Sequence, residues 1–280
     1  MTDEIILDIL WGSNDSLFLC MIPKIIHHSA PRSKKRWHPI WENCLNSWYK
    51  NYPQDEYDHV MWDDSKIDCF IEEKFEEYYV IYNALPFHIM KLDMFRLCLM
   101  YEYGGLYKDM DYYCYENFHS NIINDIAIVR SPCFDTGEYF QNSLFASVPK
   151  KKFWLKCIDN LIERYNYYKI ITDCTSEEFN RYVLSVTGPI LFTHIKEVHP
   201  SIFEEVQELP SVTYNPSIGI YHDKQEMKNV KCMHFLSGFW GDESFKQINQ
   251  NMNINNKNMR DMTCDTYKSM RGIDISNFDG

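Results

Sequence analysis

The chain has 280 residues, of which 45% are hydrophobic and 16% aromatic, and its formal net charge at pH 7 is -12. This is the composition of a folded globular protein with one large core. The acidic balance argues against a nucleic-acid-binding surface, because such surfaces concentrate Lys and Arg. The short basic run at 32–36 falls in a predicted loop, where a solvated surface is the simpler interpretation and a contact beside a diphosphate site is the alternative.

The cysteines and the apolar runs bear on cellular location. The sequence has ten cysteines and no C-x-x-C pair. A chain of this size does not need disulfides, and buried free Cys is common, so we predict a reducing, cytoplasmic compartment. The N-terminal residues lack a basic leader, and no run of eighteen apolar residues occurs, so we expect a soluble protein without a transmembrane segment. A peripheral contact with a membrane is compatible with this expectation.

Strands and helices alternate along most of the chain. Apolar runs bounded by turn residues predict buried strands at 22–27, 57–62, 106–108, 125–130, 143–148 and 230–235. Apolar residues at the helical period predict helices at 41–49, 66–79, 152–165, 177–185 and 190–198, and another that begins near 85 and ends before 104. This alternation predicts an α/β fold with a mostly parallel central sheet flanked by helices. We expect a single domain at 1–241, with its core from about 22, and a polar tail at 242–280.

The predicted helix before Gly104 is apolar nearly all round, yet it carries Asp93 and Arg96. At about 100° per residue, these two side chains lie roughly 200° and 140° away from Lys91, on faces that a core helix buries. Burying charges costs several kcal/mol unless they are paired or bind a ligand. Considered alone, an internal Asp93–Arg96 ion pair at i, i+3 is as plausible as a ligand site.

A pair of carboxylates follows this helix. Gly104 can end the helix in the left-handed conformation, and Gly105 permits close approach of the backbone. Residues 106–108 then form a short strand that delivers Asp109 and Asp111 at its C-terminal end, where α/β folds collect ligands. Two carboxylates two residues apart in an extended segment point the same way and suit a hard divalent cation. The sequence therefore predicts a site for a metal–diphosphate.

These motifs belong to a longer series. In chain order the sequence contains Ile22-Pro23-Lys24-Ile25-Ile26-His27, Ser47-Trp48 with Asn51 and Pro53, Trp62-Asp63-Asp64, Asp93-x-x-Arg96, Tyr101-x-Tyr103-Gly104-Gly105-x-Tyr107-x-Asp109-x-Asp111, Thr187-Gly188-Pro189, and His234 before Ser237 and Trp240. The series resembles the glycosyltransferases of family 32, which include yeast outer-chain mannosyltransferases, and more distantly the sugar-transferring domains of large clostridial toxins. A D-x-D motif alone is a weak signal, whereas its combination with Asp-x-x-Arg and Gly-Gly at these spacings is specific.

The resemblance implies a GT-A-type nucleotide-sugar-binding fold and a retaining glycosyltransferase. Such an enzyme would transfer a hexose from UDP- or GDP-hexose to a hydroxyl group of a glycan, lipid or protein acceptor. The implied cofactor is Mn²⁺ or Mg²⁺. No nucleic-acid partner is expected.

The resemblance also assigns roles to individual residues. It implies that Asp111 is a direct metal ligand, that Asp109 binds ribose or the metal through water, and that His234 contacts the metal or the diphosphate. Asp93 and Arg96 match the pair that holds the donor hexose hydroxyls, and they are candidate catalytic residues. The other candidates are Asn142, near the reaction centre, and the donor-binding residues His27, Tyr107, Ser237 and Trp240, the last of these as a lid.

Simpler interpretations of some of these residues stand beside the implied roles. His234, taken alone, is more often a core histidine, and Tyr107 and Trp240 would usually be core aromatics. Asp63 and Asp64 are equally compatible with a helix cap at the end of a strand and with donor binding.

Two other classes of function stay open at this point. A phosphatase of the haloacid-dehalogenase type also uses D-x-D after a strand, but it places Thr or Val where Tyr112 follows Asp111. Its motif also normally lies near the N-terminus. A noncatalytic sugar- or nucleotide-binding protein that kept the fold but lost turnover would carry the same motifs. The metal-dependent hexosyltransferase is the favoured hypothesis.

Overall fold

The computed structural model describes residues 21–132, 139–168, 176–216 and 228–235. Two donor-binding candidates, Ser237 and Trp240, lie outside them, as does the predicted polar tail at 242–280.

A mixed sheet forms the centre of the fold. The strands of the described residues are β1 (Ile25–Ser29), β2 (Asp58–Trp62), β3 (Gly105–Lys108), β4 (Tyr112–Cys114), β5 (Ile126–Arg130), β6 (Phe140–Ser147), β7 (Val206–Leu209) and β8 (Cys232–His234). Six of them form one sheet in the order β2-β1-β3-β6-β5-β7, and β4 pairs with β8 in an antiparallel ribbon. Within the sheet, only β6 runs antiparallel to its neighbours. The expected mostly parallel sheet is therefore confirmed.

Helices flank this sheet. They are α1 (Pro39–Asn51), α2 (Asp64–Lys74), α3 (Glu76–Ala84), α4 (His88–Glu102), α5 (Lys152–Tyr167), α6 (Ser176–Val186), α7 (Ile190–Val198) and α8 (Ser211–Tyr214). Because successive side chains of a strand point to opposite faces, Tyr107 packs into one hydrophobic cluster, with α2 to α7, whereas Leu106 packs into another, with Trp48 of α1. The sheet is thus buried on both faces, as expected for a largely parallel sheet.

Two glycines lead the chain from α4 into β3. Gly104 and Gly105 have φ angles of +62° and +79°, in the left-handed region that glycine adopts without strain. A Cβ atom on Gly105 would lie 2.7 Å from the backbone oxygen of Ile25, so the absence of a side chain lets β3 approach β1. Both glycine roles expected from the sequence are confirmed.

The structure differs from the sequence prediction in one predicted helix and in three short elements. The single helix predicted at 66–79 is wrong, because the chain breaks at Phe75, whose buried ring separates α2 from α3. β4, β7 and α8, each three or four residues long, were not predicted from the sequence.

Two further observations concern the whole described part of the chain. No helix there is long and apolar enough to cross a membrane. Free thiols occur at Cys44, Cys69, Cys98, Cys114, Cys157 and Cys232. The cytoplasmic location stays a prediction.

Candidate functional site

Parallel pairing gathers the candidate residues at one edge of the sheet. In the register of β1, Ser29 lies opposite Trp62 of β2, and His28 lies opposite Lys108 of β3. The C-terminal ends of these three strands therefore meet, and Asp109 follows β3 at that edge. The sequence placed the carboxylates at the correct end of the strand.

The antiparallel ribbon of β4 and β8 brings His234 to Asp111. β4 begins immediately after Asp111, and its first residue, Tyr112, pairs with His234 of β8. The rings of Tyr112 and His234 stack with centroids 4.6 Å apart, and the backbone N–H of Phe235 donates to the backbone oxygen of Asp111 at 3.0 Å. His234 Nε2 consequently lies 3.0 Å from Asp111 Oδ1.

Asp109, Asp111 and His234 form what we call the acidic cluster. One ligand atom from each residue lies within 4.8 Å of the others, the only such set of three or more in the part of the chain that the structure describes. His234 Nδ1 is buried and has no hydrogen-bond partner among the described residues. Two carboxylates and an imidazole are a donor set that suits Mn²⁺ and, with more water ligands, Mg²⁺. The residues present therefore fit the implied cation.

Asp93 and Arg96 lie in a second set, the buried cluster, together with Asn142 and Thr187. Asp93 and Arg96 are only 3% and 5% exposed, so the orientation expected from the helix angle is confirmed. Arg96 Nη1 donates to Asp93 Oδ1 at 2.7 Å, and Asn142 Nδ2 donates to the same oxygen at 2.9 Å. Thr187 Oγ1 donates to Asp93 Oδ2 at 2.7 Å. Both carboxylate oxygens of Asp93 are thus held by side chains distant in sequence.

Arg96 joins the two clusters. Its Nη2 lies 3.1 Å from Asp109 Oδ1, and its Nε donates to the Tyr107 hydroxyl at 2.9 Å. That hydroxyl donates to Asp109 Oδ1 at 2.7 Å, which leaves it a second lone pair for the Ser29 hydroxyl, 2.9 Å away. A continuous network therefore runs from Asp93 through Arg96 to Asp109.

The electrostatics of the two clusters differ. Burial raises the pKa of Asp93 to about 7, against the opposing influence of the Arg96 guanidinium. Burial also raises the pKa of Asp109, with Arg96 opposing the shift and the Asp111 carboxylate adding to it. Burial alone would lower the pKa of His234, but Asp111 outweighs it and the pKa is raised. Mutual repulsion between two carboxylates thus makes the acidic cluster attractive to a cation.

The hydrogen bonds of His27 are made outside this network. It is fully buried, its Nε2 lies 3.1 Å from the Gly104 oxygen, and its Nδ1 accepts from Trp62 Nε1 at 3.1 Å. Both ring nitrogens thus have partners within the protein, and the donor-binding role expected for His27 stays a prediction. We assign it a structural role that ties β1 to the end of α4.

The two acidic residues after β2 have local partners. Asp63 caps α2, since its Oδ1 accepts from the backbone N–H of Lys66 at 3.1 Å. Asp64 lies 3.9 Å from Arg36 and 3.5 Å from His88. The helix-cap interpretation of Asp63 is therefore confirmed.

Sequence reasoning missed Thr187 and Ser29 as site residues. Thr187 stands in the Thr187-Gly188-Pro189 motif, where a Cβ atom on Gly188 would lie 2.8 Å from the Leu184 Cα. This close approach turns the chain at the end of α6 and aims the Thr187 hydroxyl at Asp93. The motif was the available signal, since it belongs to the series that carries the family resemblance, but the sequence assigned no role to Thr187 itself.

The family match covers this region of the chain. A model of the glycosyltransferase sugar-binding region containing the DXD motif matches residues 39–128, which include both Asp93 and the acidic pair. The chain therefore carries the sugar-binding region of the DXD-containing glycosyltransferases. The GT-A-type architecture expected from the resemblance agrees with the mostly parallel sheet and with a D-x-D motif at the end of β3.

Proteins similar in sequence to this chain occur in yeasts and in a virus. It is 26% identical over 197 residues to inositol phosphoceramide mannosyltransferase 1 of Schizosaccharomyces pombe, covering 69% of this chain and 57% of the relative. It is 27% identical over 143 residues to mannosyl phosphorylinositol ceramide synthase CSH1 of Saccharomyces cerevisiae, covering 50% and 35%. An uncharacterized glycosyltransferase, L373, of Acanthamoeba polyphaga mimivirus is 26% identical over 196 residues, covering 64% and 74%. The chain spans about half the length of the first two S. pombe relatives that it matches, 57% and 41%.

Solved structures resemble this chain only weakly. The PaToxG glycosyltransferase is 17% identical, covers 90% of this chain and 87% of its own, and has a TM-score of 0.44. The fold is therefore defined by the strand order β2-β1-β3-β6-β5-β7 and its helices.

Proposed function

We propose that this protein is a retaining, metal-dependent hexosyltransferase that uses a nucleotide-diphosphate sugar, UDP- or GDP-hexose, as donor. The observation that carries the proposal is the junction of the two clusters. Arg96 contacts Asp93 on one side and Asp109 on the other, so a sugar-binding group and a diphosphate-binding group are held within one hydrogen-bonded network.

The acidic cluster would serve the leaving group. Breaking a sugar–diphosphate bond builds negative charge on the departing diphosphate. A divalent cation at this site supplies a Lewis acid that neutralises this charge. Asp109, Asp111 and His234 would hold it, and the stacking of His234 on Tyr112 keeps the imidazole oriented without further reorganisation.

The buried cluster would orient the hexose. Asp93 can accept from sugar hydroxyls and Arg96 can donate to them, and the network that fixes both side chains limits the geometries available to the sugar. Asn142 takes part by holding Asp93, and Tyr107 by holding Asp109. Ser237 and Trp240 are proposed to close on the diphosphate.

Retention of configuration is proposed from the family resemblance. In retaining transfer, the departing phosphate oxygen itself takes the proton of the acceptor hydroxyl, so the enzyme needs no dedicated base. The contribution of this chain is then to hold the donor so that the acceptor approaches on the face that the diphosphate leaves.

The relatives suggest which hexose and which acceptor to test first. The yeast relatives are named for mannosyl transfer to inositol phosphoceramide. We therefore propose mannose as the first donor sugar and a phosphate-bearing lipid headgroup as the first acceptor.

A thermal-shift screen with Mn²⁺ and a panel of nucleotide sugars tests the donor site, with Asp111→Asn beside the wild type. A ligand that binds the native state at about a hundredfold above its Kd raises the melting temperature by roughly 5 °C. We expect one nucleotide sugar to do so only with Mn²⁺, and the shift to vanish in Asp111→Asn. Asp55→Asn, which removes an exposed carboxylate, is the matched control and should behave as the wild type does.

Two other outcomes of these assays would support the phosphatase or the noncatalytic binding protein instead. Phosphate release from a simple aryl phosphate, with no stabilisation by any nucleotide sugar, would support the phosphatase. Metal-dependent stabilisation without transfer or slow donor hydrolysis would indicate a binding protein that has lost turnover.

A further inference from the structure

The exposed segment at 32–36, which we call the basic segment, is unusual in this acidic chain. It contains Arg32, Lys34, Lys35 and Arg36, four cations within five positions of a chain whose net charge is -12. All four residues are exposed, and the side chains of Lys34 and Arg36 are 68% and 62% accessible. Clustering of like charges without a partner costs free energy through mutual repulsion, so this concentration needs a reason.

The basic segment is held in a defined conformation. The Trp37 indole N–H donates to the Pro31 oxygen at 2.7 Å, which closes the loop from end to end. Within it, the backbone N–H of Arg36 donates to Ser33 at 2.9 Å, and that of Trp37 donates to Lys34 at 3.0 Å. The charges are therefore presented by a short helical turn rather than by an irregular loop.

The basic segment lies at the edge of the sheet that carries the site. It begins three residues after Ser29, the last residue of β1, whose hydroxyl lies 2.9 Å from that of Tyr107. Arg36 lies 3.9 Å from Asp64, at the start of α2 and beyond the end of β2. Because β1, β2 and β3 are parallel, the basic segment and Asp109 lie at the same edge.

Intramolecular pairing leaves much of this charge unused. Lys34 lies 3.1 Å from Glu42, and Arg36 lies 3.9 Å from Asp64. Both are exposed ion pairs, which contribute little to the free energy of folding. Arg32 and Lys35 have no ion pair among the described residues. The basic segment therefore keeps a positive charge available to a partner.

We propose that the basic segment docks this edge of the protein on the surface of a membrane that contains anionic lipids. This inference extends the proposed function, since a lipid-borne acceptor hydroxyl must come to the edge where Asp109 lies. A flat anionic surface suits several exposed, flexible side chains, whereas a single diphosphate is normally enclosed by a few buried donors. Trp37, half-buried beside the cations, belongs to a residue type enriched at membrane–water interfaces.

Co-sedimentation of the full chain with vesicles tests this inference. The probes are vesicles of phosphatidylcholine alone and of phosphatidylcholine with phosphatidylserine, each at low and high salt. We expect binding to the anionic vesicles that weakens at high salt. Since each Lys or Arg near such a surface changes binding by about fivefold, Arg32→Gln/Lys35→Gln should bind about 25-fold more weakly.

A double variant of equal charge supplies the control. Lys74 is the last residue of α2 and Lys152 is the first residue of α5, and both are exposed. They lie at the opposite edge of the sheet from the basic segment, because α2 runs back from the end of β2 and α5 follows the antiparallel strand β6. Lys74→Gln/Lys152→Gln should bind vesicles as the wild type does. Equal losses in the two double variants, or equal binding of the wild type to neutral and anionic vesicles, would overturn the inference.

The donor offers the competing explanation of the basic segment. If Arg32→Gln/Lys35→Gln keeps vesicle binding but loses the Mn²⁺-dependent stabilisation by nucleotide sugars, the segment contacts the donor diphosphate and the membrane inference is wrong. Vesicle binding needs neither metal nor donor, so Asp111→Asn should bind vesicles as the wild type does. The inference can therefore fail while the proposed transferase activity holds, and the reverse.

Discussion

The buried cluster and the acidic cluster lie on either side of Arg96 and differ in how far the protein satisfies their charges. In the buried cluster both oxygens of Asp93 accept hydrogen bonds, from Arg96, Asn142 and Thr187. In the acidic cluster two carboxylates repel one another, and a ring nitrogen of His234 has no hydrogen-bond partner among the described residues.

The charges of the buried cluster are satisfied by the protein itself, whereas those of the acidic cluster would be satisfied by a bound cation. Substitutions in the buried cluster should lower both stability and turnover, because they leave a buried charge without its partner. Substitution of Asp111 by Asn should lower cation binding and turnover with less loss of stability, because the lost charge repelled that of Asp109 and Asn keeps an oxygen beside His234. Arg96 belongs to both clusters and should show the largest combined effect.

Arg96→Lys tests this junction. The guanidinium contacts Asp93, Asn142, Tyr107 and Asp109 through three nitrogens, and a single ammonium cannot reproduce that geometry. We expect turnover to fall at least a hundredfold, or about 3 kcal/mol, measured as kcat/KM for the donor. The free energy of unfolding should fall less, by roughly 1–2 kcal/mol, because Lys keeps the charge.

Arg130→Lys is the matched control, since Arg130 is partly exposed and lies 3.5 Å from Glu208, away from both clusters. It should change neither quantity measurably. Equal losses of stability and turnover in Arg96→Lys would instead indicate that Arg96 serves only as a structural ion pair.

His27 extends the comparison of the two clusters to a buried side chain that is neutral and has a hydrogen-bond partner at both ring nitrogens. Burial lowers its pKa to about 3, against an ordinary value of 6.5. The unfolded chain therefore takes up a proton below pH 6.5 that the folded chain refuses, and stability falls as the pH falls. Between pH 7 and pH 5 this loss amounts to about 2 kcal/mol, from about 1.4 kcal/mol per pH unit below 6.5.

Urea unfolding at both pH values measures this loss. The same experiment on His27→Gln should give a flatter pH dependence, because Gln can offer a donor and an acceptor without titrating. At neutral pH, donor-dependent stabilisation of this variant should match that of the wild type. A variant with an unchanged acid slope would contradict the assignment of His27 as a buried structural histidine.

Local sequence patterns predicted the parts of the site that depend on local geometry. Helical angle placed Asp93 and Arg96 in the core, and the two glycines and the short strand placed Asp109 at the edge of the sheet. These features are fixed within about one helix and one strand, over which the periodicity of the sequence is informative.

Contacts between distant segments could not be predicted from the same patterns. Thr187 lies 94 residues from Asp93 in sequence, and the pairing that carries His234 to Asp111 involves two strands of three residues each. The helical break at Phe75 and the antiparallel direction of β6 are also decided by packing. Tertiary pairing, which no single periodic segment encodes, completes the site.

Thr187 gives a smaller expected loss of turnover than Arg96 and the closest test of how the buried cluster is completed. Thr187→Val keeps the shape of the side chain but removes the hydroxyl that donates to Asp93 Oδ2 at 2.7 Å. Loss of one hydrogen bond to a buried carboxylate should cost about 1.5–3 kcal/mol of stability. We expect kcat/KM for the donor to fall about tenfold, because Asp93 is then held by only two donors.

The Thr187→Ser variant separates positioning from packing. Ser restores the hydroxyl without the methyl group, so kcat/KM for the donor should return towards the wild-type value even if stability does not. The acceptor KM should stay constant in both variants, since Asp93 faces the donor hexose in the proposed function. Should Val and Ser variants lose activity in proportion to their stability, Thr187 would matter only for packing at the end of α6, and the buried cluster would depend on Arg96 and Asn142 alone.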